Sequence, residues 1–71
     1  MTPEILKQVG TALYGPRWQT DLAEALNVSG RTLRYWIAGA NPIPPGIQSE
    51  LAKICQEREE ELFRLVALLQ S

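Results

Sequence analysis

An all-α fold of four or five short helices is predicted by three features of the sequence. Apolar residues recur at three-and-four spacing in successive segments. The early segments end at Gly, Pro or Asn, and from Ile47 to Leu69 there is neither Gly nor Pro. Seventy-one residues leave room for one domain, 1–71, because one core organises roughly 100 to 150 residues and rarely fewer than about 40. A hydrophobic content of 45% with 21% charge is the composition of a chain that folds.

Pro3 and Glu4 open the first helix, about residues 3 to 14, where Ile5, Leu6, Val9 and Leu13 share a face; Pro is tolerated in a first turn and Glu4 suits the positive end of the helix dipole. Gly15-Pro16 stops it. Trp18, Leu22, Ala23 and Leu26 make the buried face of a second helix ending at Asn27, which tolerates the left-handed region. Ser29 is a strong N-cap, so a third helix begins at once, with Leu33, Trp36 and Ile37 facing inward and Gly39 ending it. Asn41 to Gly46, with three prolines, reads as a stiff connection. Residues from about 47 to 70 are good helix formers, either as one long helix or as two broken near 56 to 61. Within them Ile47, Leu51 and Ile54 or Cys55 form one apolar stripe; six polar residues later Leu62, Leu65, Val66 and Leu69 resume the spacing, which reads as two separate apolar faces.

Enzymatic readings are weak from the outset. The chain has no His and one Cys, so the usual general base and metal ligands are missing, and no cofactor or metal is expected. Cys55 alone makes no internal disulfide and reads as a small, half-buried helix residue. No apolar run approaches the roughly 18 to 20 residues of a membrane span, and no signal-peptide pattern opens the chain, so a cytoplasmic protein is expected. Net charge is −1, without the global basic excess of many nucleic-acid binders. Its distribution is uneven: residues 1–40 carry four positive and three negative side chains, and residues 41–71 three positive and five negative.

Two short helices joined by a tight turn, the second capped by Ser and bearing Arg on its outer side, are the parts of a helix-turn-helix reader of double-stranded DNA. That core spans about 18–38. Ala23 permits close approach of the two helices, while Gly30, Arg31, Arg34, Tyr35 and Ala38 project outward on a face that fits a major groove about 12 Å wide. Arg is the commonest reader of guanine O6 and N7 and is equally suited to phosphate.

The stretch from Gln19 through Asp21-Leu22-Ala23-Glu24-Ala25-Leu26-Asn27-Val28-Ser29-Gly30-Arg31-Thr32-Leu33-Arg34-Tyr35 to Trp36 resembles the core of the lambda-repressor-like family, the Cro/CI or Xre-type regulators. Ile37 to Pro45 is similar to the glycine-then-proline passage that closes the motif in many members. The resemblance implies a lambda-repressor-like domain acting as a transcription regulator of bacterial or phage type. Gln19 then falls on a phosphate-contacting position, and Ser29, Gly30, Arg31, Thr32, Arg34 and Tyr35 fall in the DNA-contacting region. Asn27 stands where the family most often has Gly, Gly30 where many members place a polar base reader, and Trp18 where a small polar cap is usual, so reading rests mainly on the two arginines.

Leu62, Phe63, Leu65, Val66 and Leu69 remain apolar beyond what a domain of this size needs for its core, and they are the expected interface of a homodimer on a palindromic operator. The alternative is a protein-interaction module, an antitoxin or adaptor, gripping a protein partner with that same helix.

Overall fold

A computed structural model describes residues 1–71, which form four α-helices and no strands: α1 (Pro3–Tyr14), α2 (Trp18–Leu26), α3 (Gly30–Ala38) and α4 (Pro45–Gln70). The fold is all-helical, with the three short helices clustered against the first half of the long one. Leu6 of α1, Trp18, Leu22, Ala23 and Leu26 of α2, Leu33 and Trp36 of α3, and Leu51 of α4 make one buried cluster. Val9, Tyr14, Val28, Ile37, Ile43, Ile47 and Ile54 pack around it.

Each boundary has a local cause. The Thr2 hydroxyl accepts the Ile5 amide at 3.2 Å and caps α1, with Pro3 in the first turn where its missing N–H costs nothing. Gly15 ends α1 at φ 81°, ψ −160°, a region open to glycine alone. At the end of α2, Asn27 is left-handed (φ 57°, ψ 43°); its amide donates to Glu24 O at 3.1 Å and that of Val28 to Ala23 O at 3.0 Å, a Schellman closure. Gly39 closes α3 in the same way, the Gly39 amide donating to Trp36 O and the Ala40 amide to Tyr35 O.

For α4 one expected boundary is corrected and one open alternative is decided. The stiff connection ends at Pro44, and Pro45 and Gly46 already belong to the helix. Pro45 opens the helix because a proline ring is preset for the helical φ and the first-turn amides need no partner. The helix then runs unbroken for 26 residues through the polar stretch, as one helix.

The two apolar stripes also turn out to be one. At 3.6 residues per turn, eighteen residues are five full turns, so Ile47 lies in line with Leu65 and Leu51 with Leu69. The six polar residues interrupt the stripe without rotating it. Its first half is covered by the other helices; its second half extends past them, giving a molecule 48 Å long and 23 by 20 Å across.

Arg58 marks the edge of that cover. Its guanidinium donates to the Leu13 carbonyl at 3.2 Å, at the C-terminal end of α1, and lies 5.9 Å from the centre of the Tyr14 ring. A cation is favoured there, where the last carbonyls of α1 point outward unpaired. The glutamates around it, Glu57, Glu59, Glu60 and Glu61, are all exposed. No helix is long and apolar enough to cross a membrane.

Candidate nucleic-acid interface

The exposed side of α3 is built by what holds its other side. Leu33 and Trp36 are buried and Ile37 packs on the core, so the helix cannot roll about its axis. Gly30, Arg31, Arg34, Tyr35 and Ala38 are thereby held outward, and all five are exposed. Ser29 fixes where the helix starts: its hydroxyl accepts the Thr32 amide at 3.0 Å and lies 2.9 Å from the Thr32 hydroxyl. Thr32 is half-buried with its hydroxyl engaged by the cap, which gives both residues a complete structural role.

Arg31 and Tyr35, one turn apart, form a unit. Arg31 Nε donates to the Tyr35 hydroxyl at 3.0 Å, and the guanidinium lies 5.7 Å from the ring centre. The contact holds the side chain extended along the helix and engages Nε, leaving the two terminal nitrogens for an acceptor. Arg34 folds toward the N-terminal end of the helix: a Cβ built on Gly30 would sit 3.3 Å from its terminal nitrogen. Gly30 thus lies beside the Arg34 guanidinium, and a methyl group there would ask that exposed, flexible side chain to shift by only a few tenths of an ångström.

Electrostatically this face is unopposed. Between Glu24 and Glu50 the only charged side chains are Arg31 and Arg34. The molecule has one ion pair, Lys7 with Glu4 at 3.6 Å on α1, so neither arginine is neutralised by a carboxylate. The first turn of α3 carries no acidic residue, and the positive end of its dipole adds to the two guanidinium charges. Gln19 is exposed in the first turn of α2. Arg17, which precedes that helix as an N-cap without a side-chain bond, is a further exposed cation that was not singled out from the sequence; its signal was its place beside a helix start.

The expected dimer residues lie elsewhere. Leu62, Phe63, Leu65, Val66 and Leu69 are all exposed on the far half of α4, joined by Leu68. The helix does not fold back to cover them. Compared with known proteins, the chain matches no family model, no curated protein and no solved structure, so the geometry above carries the functional reading alone.

Proposed function

We propose that α2 and α3 form a helix-turn-helix of the lambda-repressor-like kind and that α3 reads double-stranded DNA from the major groove, the chain serving as a sequence-specific transcription regulator of bacterial or phage type. One observation carries this reading. Arg31 and Arg34 stand unpaired on the outer face of a helix whose inner face is locked into the core, in a stretch of chain free of acid. An α-helix about 10 to 12 Å across enters a groove about 12 Å wide, and two guanidinium forks on its leading half reach guanine edges or phosphates. Arg17 and Gln19, at the start of α2, are placed to contact the backbone and set the docking angle. The acidic stretch of α4 lies on a different helix from this face.

The test is selection of bound fragments from random or genomic DNA at near-physiological salt, with the Arg31→Ala/Arg34→Ala double variant run beside the wild type. A recurrent site is expected, bound by the wild type and lost by the variant. Each arginine accounts for roughly 1–3 kcal/mol of specific affinity if it reads a base, or about one unit of salt slope if it holds a phosphate. Both side chains are exposed, so the variant keeps its helices. Equal binding by the two proteins, or none by either, would refute DNA reading by α3.

A second reading has its own support in the bare apolar half of α4: an interaction module, antitoxin or adaptor, that grips a different protein. It predicts that Leu62→Glu abolishes partner capture while Arg34→Ala leaves it untouched.

A further inference from the structure

We infer that Tyr35 is a positioning residue for Arg31: its hydroxyl takes the Nε edge of the guanidinium and leaves the two terminal nitrogens as a preset fork for guanine. The inference rests on the proposed DNA reading and deepens it, assigning the base that Arg31 reads and the residue that aims it.

The contact has two parts. The Tyr35 hydroxyl oxygen accepts from Arg31 Nε at 3.0 Å, and the guanidinium carbon lies 5.7 Å from the centre of the same ring. The hydrogen bond fixes how far along the helix the planar group sits, and the ring limits how it turns. The two residues are four apart on α3, the spacing at which helix side chains meet. Because Leu33 and Trp36 hold the inner side of α3 in the core, the braced group points in a fixed direction relative to the whole domain. Arg34, on the same face, has neither contact.

A guanidinium offers two edges to a pair of acceptors: Nε with one terminal nitrogen, or the two terminal nitrogens together. Tyr35 occupies the first, so the second is the open one. In the major groove only guanine presents two adjacent acceptors, O6 and N7. Adenine sets a donor beside N7, thymine a methyl group beside O4, and cytosine shows a donor. Two parallel N–H groups held outward therefore match guanine best. A guanidinium free to rotate could turn either edge to a phosphate; the brace removes that freedom, and with it part of the rotamer entropy otherwise lost on binding. Arg31 also stands in the first turn of α3, the part of a reading helix that approaches base edges. The Tyr35 hydroxyl keeps its own hydrogen, so direct contact with DNA is the rival role for it.

The experiment uses the full chain and short duplexes carrying the site recovered by selection, with each base pair substituted in turn. Affinities are measured by fluorescence anisotropy for the wild type, Tyr35→Phe, Arg31→Ala and the double variant, with circular dichroism as a check on the helices. The wild type is expected to prefer guanine at one position by roughly 5- to 150-fold, a preference absent from Arg31→Ala. Tyr35→Phe keeps the ring and is expected to lower that preference about 3- to 10-fold at that position alone, with the salt slope unchanged. In the Arg31→Ala background the same change is expected to do nothing. Equal losses in both backgrounds would mean that the Tyr35 hydroxyl touches DNA itself and would overturn the brace, as would no loss in either. Recovery of no site at all would remove the DNA reading and this inference with it, whereas a site read without the coupling removes the brace alone.

Discussion

Leu51 and Leu69 are the same residue on the same line of the same helix, five turns apart, yet Leu51 is 2% exposed and Leu69 is 85% exposed. Their intrinsic tendency to leave water is equal. Leu51 belongs to the buried cluster to which all four helices contribute, whereas α4 outruns the other helices before it reaches Leu69. An apolar stripe therefore states which face of a helix seeks cover and says nothing about whether cover is present. Arg58 sits at the changeover, with an aliphatic stem along the stripe and a guanidinium held by Leu13 and Tyr14.

Truncating both leucines gives the sharpest form of that contrast. Leu51→Ala is expected to cost about 2–5 kcal/mol of folding stability, because a fully enclosed side chain leaves a cavity behind it. Leu69→Ala, measured by urea or thermal unfolding at low protein concentration, is expected to change stability by less than about 0.5 kcal/mol. Equal losses would mean that the far half of α4 is packed within the single chain.

The packed region can be probed from its tightest point. Gly10 is a buried glycine inside a helix, where Ala would ordinarily gain about 0.5–1 kcal/mol. A Cβ there would clash with the face of the Trp18 ring. Gly10→Ala is therefore expected to destabilise by about 1–3 kcal/mol, against its helix propensity, with a shift in Trp fluorescence as the ring moves. A stabilised Gly10→Ala variant would show that the ring has free space beside it.

At the boundary, Arg58→Ala removes one charge-assisted hydrogen bond to a helix end and one ring contact, both part-exposed. The expected loss is about 1 kcal/mol or less in global unfolding. A clearer readout is amide exchange, which should quicken in the last turn of α1 and around position 58 and stay unchanged in α3. Uniform acceleration throughout would make Arg58 a global support.

The helices were legible because their punctuation is chemical. Gly15, Asn27, Ser29 and Gly39 each act through a hydrogen bond or a backbone angle that a short stretch of sequence specifies, and all four serve as expected. The outward set on α3 was legible for the same reason, since Leu33 and Trp36 define its inner face. The interactions of Arg58, Gly10 and Gly30 were not. Arg58 lies in an acidic run that reads as a solvated face, and its acceptor is 45 positions away in sequence. Gly10 reads as a helix weakness until Trp18 is seen against it, and Gly30 as a missing contact until the Arg34 guanidinium is seen beside it.

By itself, the sequence determined where the first three helices begin and end, which face of each is apolar, and that two arginines share an acid-free stretch. These follow from forces acting within a few residues: capping, backbone angles and helical period. Only the tertiary structure decided that α4 is a single helix with a single stripe, that Arg58 braces α1, and that the stripe is covered at Leu51 and bare at Leu69. Burial is a property of what lies opposite, and the elements that lie opposite are brought there by the whole chain.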